Sequence, residues 1–160
     1  MDPSDDLRLR PAAAGDESFL FALFRSVRSA VLAELSVPEQ QREQLLRMQF
    51  DAQQHQYHAR FPSADFDIVL FRGVPVGRFY ARRGPEDFVL IDIALLPEHR
   101  NSGIGGRLVG GLIAEARGAG KAVQAHVQRD NPAWRLWQRL GFEEVGDDGA
   151  YLRIRAPAIR

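Results

Sequence analysis

The sequence predicts a mixed α/β fold, one layer of about seven strands with helices on both faces, in the order β-α-α-β-β-β-α-β-α-β-β. Three observations support this fold class. Apolar residues recur at helical spacing before residue 61, the period becomes extended over residues 66–95, and helices and strands then alternate. Because 160 residues without a repeat or linker suit one domain, we expect a single domain over residues 1–160.

The first third of the chain predicts one strand and two helices. Residues 7–10 alternate apolar and polar before Pro11, which is typical of a short strand. Asp16 is placed to cap a first helix. Its apolar positions are Leu20, Leu23, Phe24, Val27 and Val31. Pro38 opens a second helix that Pro62 ends. Its apolar stripe is Leu46, Phe50, Tyr57 and Phe61.

The middle of the chain predicts three strands. Residues 66–71 and 74–81 are extended runs joined at Arg72-Gly73, which favours a two-residue hairpin. Residues 88–95 are almost continuously apolar, as in a central strand that is covered on both faces.

The last third predicts two helices and three strands. A glycine-rich segment leads into a helix that runs to about residue 117 and is closed by Gly118 and Gly120. Residues 123–127 form a strand, and residues 132–140 form a helix that Gly141 ends. Residues 142–145 and 150–154 form a closing hairpin.

Composition excludes several classes of function. Lys and Arg total 21 and Asp and Glu total 21, so the net charge is zero and a diffuse grip on nucleic acid or an anionic membrane is not expected. The absence of cysteine excludes disulfides, thiolate metal sites and cysteine nucleophiles. No apolar run approaches the ~20 residues of a membrane span, and the acidic start is unlike a signal peptide, so we expect a cytoplasmic protein.

Residues 100–106 carry the strongest chemical signal. Glycines between a buried strand and a helix leave backbone N–H groups bare at the positive end of the helix dipole, which favours an anion. A tight strand-to-helix turn is the alternative. The dinucleotide fingerprint fails because Leu108 stands where it needs glycine, and a P-loop fails because Gly110 is not followed by Lys.

Residues 100–105, Arg-Asn-Ser-Gly-Ile-Gly, match every fixed position of the pattern Gln/Arg-x-x-Gly-x-Gly/Ala. This pattern is the pyrophosphate loop of the Gcn5-related N-acetyltransferase (GNAT) family. Residues 93–99 resemble the family's fourth strand and its exit, and residues 131–142 are similar to its Asn…Ala-x-x-Leu-Tyr-x-x-Leu-Gly-Phe motif. The chain therefore resembles this family most closely over residues 88–142.

The resemblance implies acetyl-CoA, or another acyl-CoA, as the donor substrate, and a sheet whose fourth and fifth strands splay apart around the thioester. The backbone that would pair with the pantetheine arm is that of Ile93, Ala94 and Leu95. The N–H groups that would hold the pyrophosphate are those of Arg100, Asn101, Ser102, Gly103, Ile104, Gly105 and Gly106. The residues that would border the pantetheine and the CoA channel are Asn131, Ala133, Trp134 and Trp137.

One position departs from the family pattern. Trp137 stands where the family often has a tyrosine that is proposed to protonate the leaving thiolate. Indole N–H is a donor but not a useful acid. A thiol pKa near ~8.5 lets the thiolate leave without one, so acetyl transfer survives the change.

Two residues are candidates for the general base that removes a proton from the acceptor amine. His126 is predicted to lie on the fifth strand, where some family members place a glutamate, and its pKa range suits the task. The alternative is a half-buried histidine bonded to a carbonyl. Asp92 interrupts the apolar strand and can be a base, an amine-binding residue or part of a structural ion pair. The Leu95 N–H is the expected oxyanion donor.

The second helix supplies the candidates for acceptor contact, which are Gln49, Gln53 and Tyr57, although plain surface is the alternative. Asp51, His55 and His58 share one face of that helix, but such pairs are common on exposed faces and we predict no metal.

The sequence thus predicts an N-acetyltransferase that acts by direct attack of a primary amine in a ternary complex, since no cysteine can carry the acetyl group. The rival hypothesis is a CoA-binding regulatory or interaction module that has lost catalysis. A polyamine, an aminoglycoside, an amino acid or a protein N-terminus remains open as acceptor. The oligomeric state also remains open, with a homodimer among the alternatives.

Overall fold

The strands and helices follow the predicted order. The computed structural model describes residues 6–34 and 36–158, without the side chains of residues 29–32. The acidic start at residues 1–5 and the side chain of Val31 lie outside this description. The helices are α1 (Glu17–Ala33), α2 (Glu39–Arg60), α3 (Ile104–Gly118) and α4 (Trp134–Leu140). The strands are β1 (Leu7–Pro11), β2 (Asp65–Phe71), β3 (Val74–Arg83), β4 (Phe88–Leu95), β5 (Val123–Gln128), β6 (Glu143–Asp147) and β7 (Tyr151–Ala156).

The strands form a seven-stranded sheet in the order β1-β2-β3-β4-β5-β7-β6. The predicted mixed α/β fold class is confirmed. By its internal contacts the chain divides into two compact units. The first comprises the described residues up to 79 together with residues 94–98, and the second comprises residues 80–93 and 99–158. A single domain over residues 1–160 stays a prediction.

The first unit has its core between the two long helices and β2. Its buried residues are Leu20, Phe24, Leu46, Phe50 and Ile68. The Phe50 ring meets the edges of Phe21 and Phe24 at centroid distances of 5.4 and 5.7 Å, a geometry that aromatic pairs prefer. Val27, one of the apolar positions that recur at helical spacing, is 47 % exposed. Tyr57 and Phe61 are only half-buried, so the apolar anchoring of α2 ends at Phe50.

The prediction that Asp16 caps the first helix is wrong in its bonding, although α1 begins directly after it. The carboxylate turns back toward the preceding chain and accepts from the Ala13 N–H at 2.8 Å. It also accepts two hydrogen bonds from the Arg10 guanidinium at 2.7 and 2.8 Å. A charged, forked donor outcompetes the neutral N–H groups of the helix. The hydrogen bonds from Arg10, and next that from Ala13, lower the pKa of Asp16 from 3.8 to about 2.

The second unit is built on β5, β7 and α3. Strand β5 pairs with β7 in antiparallel register along its whole length, from Val123↔Ala156 to Gln128↔Tyr151, and β7 pairs with β6. Side chains of β5 alternate strictly between buried and exposed. The buried face of α3 consists of Ile104, Val109, Leu112, Ile113 and Ala116.

Two glycines end the helices of this unit as predicted. Gly120 (φ +72°) follows α3, and the N–H groups of residues 120 and 121 donate to the carbonyls of residues 117 and 116 at 3.0 and 2.8 Å. Gly141 (φ +116°) follows α4 with the equivalent bonds. This is the Schellman arrangement, which needs a left-handed residue and therefore favours glycine.

Candidate functional site

The segment between β4 and α3 is a strained loop that ends in a bare helix start. Asn101 and Gly103 both have positive φ, +58° and +87°, and α3 begins immediately afterwards. The Ser102 hydroxyl donates to the His99 carbonyl at 2.5 Å, which tightens the turn. The first helical bond runs from the Arg107 N–H to the Gly103 carbonyl at 3.1 Å. The N–H groups of residues 104–106 therefore have no acceptor within the helix.

The glycines of this loop are not all explained by the backbone or by packing. Gly103 has a positive φ, a conformation that glycine adopts without strain. Gly105 has an ordinary φ, and a Cβ there would meet nothing nearer than the Ile93 Cδ1 atom at 4.0 Å. A side chain would therefore fit at residue 105. Alanine would also favour the helix by about 1 kcal/mol relative to glycine. A turn alone does not account for Gly105, whereas a ligand that must reach the backbone does.

Strands β4 and β5 begin as neighbours and then lose their pairing. The parallel ladder joins Phe88 to Val123 and Val89 to Gln124. It does not extend over residues 90–93 of the described strand. The carboxylate of Asp87 holds the closed end, because it accepts from the Gln124 amide at 2.8 Å and from the Ala122 N–H at 3.2 Å. The hydrogen bond from Gln124 is the main cause that lowers the pKa of Asp87.

The prediction that β4 is covered on both faces is wrong for most of the strand. Phe88 and Leu90 are buried, but the other residues of β4 are only half-buried, Asp92 among them. The loss of pairing over residues 90–93 is consistent with this exposure. On its β5 side, β4 thus has no ladder over residues 90–93, and a ligand that adds like a strand requires such an edge.

The end of β4 within the first unit is fixed by a close approach of two backbones. The Leu96 N–H donates to the Val76 carbonyl at 2.8 Å. A Cβ on Gly77 would clash with the Ala94 carbonyl oxygen and would lie 3.2 Å from the Leu95 Cα. Only glycine fits there without moving the backbone of Ala94 and Leu95. Sequence reasoning did not identify Gly77, because nothing local marks a glycine that distant backbone requires.

His126 lies on the exposed face of β5, and 53 % of its side chain is exposed. Its Nε2 atom is 3.3 Å from Asp148 Oδ2, in the turn between β6 and β7. Arg153, the cross-strand partner of His126, approaches the other oxygen of Asp148 at 3.4 Å. The histidine thus faces a carboxylate, and not a carbonyl as in the alternative hypothesis of a half-buried histidine. Its catalytic role stays a prediction.

The segment before α4 departs from the predicted helix, which begins at Trp134 instead of Pro132. The side-chain oxygen of Asn131 accepts from the Ala133 N–H at 2.9 Å, and its carbonyl accepts from the Trp134 N–H at 3.0 Å. These bonds form a turn that delays the helix. Trp137 is buried, whereas Asn131, Ala133 and Trp134 are half-buried. Trp137 is thus a core residue, and the other three keep surface for a ligand.

The acceptor candidates on α2 converge on a residue that sequence reasoning missed. Arg78, on β3, is only 4 % exposed. Its Nη2 atom donates to Gln53 Oε1 at 3.0 Å, and its guanidinium carbon lies 5.8 Å from the centre of the Tyr57 ring. Gln49 is half-buried one turn before Gln53. A signal for Arg78 was present, since it interrupts the apolar run at residues 74–81 as Asp92 interrupts β4.

Asp51 and His58, two of the three residues that share one face of α2, each contact another side chain. Asp51 pairs with Arg47 at 3.6 Å, and the His58 ring stacks on Phe66 at a centroid distance of 4.0 Å. Among residues 6–34 and 36–158, no three His, Asp or Glu side chains are grouped so that they could hold a metal ion. No described helix has the length and hydropathy to cross a membrane.

A family model described as "Acetyltransferase (GNAT) family" matches residues 25–142. No curated protein sequence matches the chain significantly. Three similar solved structures have TM-scores of 0.69, 0.67 and 0.66 at 16, 24 and 20 % identity. They are the PaiA N-acetyltransferase of Thermoplasma acidophilum with coenzyme A, an acetyltransferase of Thermus thermophilus, and a chimera of spermidine N-acetyltransferase from Vibrio cholerae and hSSAT. In the same order, the alignments cover 94, 94 and 96 % of this chain and 98, 96 and 96 % of those chains. At these identities, the likeness shows the fold.

Proposed function

Because the chain belongs to the GNAT family of acetyltransferases, we propose that it moves an acetyl group from acetyl-CoA to a primary amine by direct attack. The observation that carries this proposal is Gly105, a glycine that neither φ nor packing requires, at the start of α3. Bare N–H groups at a helix start favour a phosphate. The pattern of residues 100–105 assigns that phosphate to the pyrophosphate of CoA.

The donor substrate has two groups of contacts in this proposal. The N–H groups of residues 100–106 bind the pyrophosphate. The backbone of Ile93, Ala94 and Leu95 pairs with the pantetheine arm, and the Leu95 N–H donates to the thioester carbonyl as negative charge develops there. Asn131, Ala133 and Trp134 border the channel. Their half-exposure supports this role, whereas the burial of Trp137 supports a structural one.

The chemical step joins the amine nitrogen to the acetyl carbon and breaks the carbon–sulfur bond. The ammonium form of the amine must first lose a proton, which His126 accepts, with Asp92 as the alternative base. The second proton, which the nitrogen releases after the attack, passes to the departed thiolate or to water. Asp148 lies 3.3 Å from His126 and would orient the ring. The sulfur leaves as a thiolate without an enzymic acid, because the indole N–H of Trp137 donates hydrogen bonds but is too weakly acidic to transfer its proton.

Gln49, Gln53 and Tyr57 are proposed to contact the acceptor. Gln53 and Tyr57 support this role because both are held by Arg78 instead of pointing freely into solvent. Spermidine, the substrate in the name of one structural neighbour, is one amine to test. An aminoglycoside, an amino acid and a peptide N-terminus are the others. A cytoplasmic location and a homodimer stay predictions.

The experiment is calorimetry with acetyl-CoA, followed by thiol release in the presence of spermidine, kanamycin, L-lysine or a tetrapeptide with a free N-terminus. A ten-fold excess over a micromolar Kd should stabilise the fold by roughly 1.4 kcal/mol. Release of CoA that depends on one of these amines supports the enzyme. Tight binding without turnover over a broad amine panel supports the CoA-binding module, and no binding at millimolar acetyl-CoA contradicts both.

A further inference from the structure

The two halves of α2 are held in different ways. In the first half, Leu46 and Phe50 are buried in the core of the first unit. From residue 51 to residue 60 every side chain is exposed or half-buried. A helix without a buried apolar face gains little stability from packing and opens locally at low cost. The second half, residues 51–60, therefore depends on single side-chain contacts, of which the stacking of His58 on Phe66 is one.

Arg78 makes further contacts of this kind. It lies two residues after the buried Val76, on the same face of β3, and it is itself almost fully buried. Its hydrogen bond reaches Gln53 and its guanidinium faces the Tyr57 ring, so one cation contacts two successive turns of the second half of α2. A hydrogen bond that involves a charged donor is stronger than a neutral one. Over Tyr57 the guanidinium adds a cation–π contact.

We propose that Arg78 is the positioning residue of the acceptor side, which fixes residues 51–60 of α2 and thereby sets the orientation of Gln53 and Tyr57. The link to the acceptor rests on the proposed function. The anchoring of the helix does not, and can be measured without any substrate. Lysine is a poor replacement, because a point charge lacks the planar fork that lets arginine bond Gln53 while it faces Tyr57.

The test is amide hydrogen exchange in the full chain, with Arg78→Met against Arg60→Met. Methionine keeps an unbranched side chain without a donor. Arg60 lies in the same half of α2, where its guanidinium faces the Phe61 ring. Exchange over residues 51–60 should become about tenfold faster in Arg78→Met, with residues 39–50 unchanged and Arg60→Met like the parent. Unchanged exchange over residues 51–60 in folded Arg78→Met overturns the proposal.

A second variant keeps the proposal testable if Arg78→Met does not fold. Gln53→Leu removes the hydrogen-bond acceptor from a half-buried surface position. Faster exchange confined to residues 51–60 supports the proposal, and parent-like exchange overturns it. In the double variant Arg78→Met/Gln53→Leu the two effects should not add, because both remove the same bond.

Kinetics connects the anchor to the acceptor. With whichever of spermidine, kanamycin, L-lysine or the tetrapeptide turns over, Arg78→Met should raise the KM for the amine about tenfold and leave the KM for acetyl-CoA unchanged. An equal loss for both substrates overturns the positioning role. If none of the four amines is acetylated, the proposed function fails, while hydrogen exchange still decides whether Arg78 anchors α2.

Discussion

The loop at residues 99–106 and the surroundings of His126 and Gln53 are held by different kinds of contact. The loop is shaped by near neighbours, such as the bond from Ser102 to His99 and the positive φ of Gly103. His126 faces a residue 22 positions away, and Gln53 bonds to one 25 positions away. The loop that is proposed to bind the donor substrate is thus a local backbone structure. The candidate base and acceptor residues depend on long-range side-chain contacts.

This difference predicts which substitutions the loop and the long-range contacts each tolerate. A local loop should survive changes elsewhere and fail only when its own backbone is altered. Long-range contacts should be lost when either distant partner is replaced, while the loop should continue to bind acetyl-CoA. Four predictions test this contrast, in order of decreasing expected effect.

The largest effect is expected at His126, where the long-range side should control chemistry without affecting the loop. His126→Ala should lower kcat by about 10²–10⁴-fold if the imidazole is the main base, with the acetyl-CoA Kd unchanged. Steady-state rates and calorimetry measure the two quantities. His55→Ala, which removes an exposed histidine from α2, is the matched control. Near-normal kcat with an unchanged acidic limb of the pH profile would instead point to Asp92, tested by Asp92→Asn.

A substitution of Gly105 should impair only the loop at residues 99–106. Valine there covers the N–H groups at the start of α3, so CoA affinity should fall about 100-fold, the equivalent of roughly two charge-assisted hydrogen bonds. Gly111→Val is the matched control, since residue 111 lies in the same helix with open space around its Cβ position. Calorimetry gives the affinity and circular dichroism the fold. Parent-like affinity in folded Gly105→Val would mean that the loop is only a turn.

Gly77 is the position where long-range backbone packing determines a residue. Gly77→Ala should destabilise the protein by about 1–3 kcal/mol, because the added methyl group meets the fixed backbone of Ala94 and Leu95. Urea unfolding measures the change. Gly15→Ala, with nothing near its Cβ position, is the control and should be close to neutral. A fully stable Gly77→Ala would show that the end of β4 can shift.

The smallest effect concerns Asp16, another local contact, whose bidentate partner Arg10 lies six residues away. A pKa lowered from 3.8 to about 2 adds stability that is complete above about pH 4 and disappears as the pH falls through about 2. The contribution is at most about 2 kcal/mol and is smaller in high salt. Asp16→Asn should therefore lower Tm at pH 6 and match the parent near pH 2. An equal deficit at both pH values would show that the loss is not electrostatic.

Much of the fold was determined by sequence features that act locally. Alternation, apolar runs and helical spacing predicted the seven strands and four α-helices of the described residues. Gly120 and Gly141 end their helices because only a left-handed residue completes the terminal bonds. The shape of residues 99–106 is local for the same reason. The motifs at residues 93–99, 100–105 and 131–142 together also predicted the family, and the family model over residues 25–142 confirms it.

Tertiary structure decided the features that depend on distant partners. Strand β7 lies between β5 and β6, an order that local patterns do not show. Arg78 was visible only as a charge in an apolar run, and Gly77 carried no signal at all, because their roles depend on Gln53 and on the backbone at Ala94 and Leu95. Local preferences act within a few residues, whereas a buried charge or a close backbone approach is defined only when separate strands and helices meet.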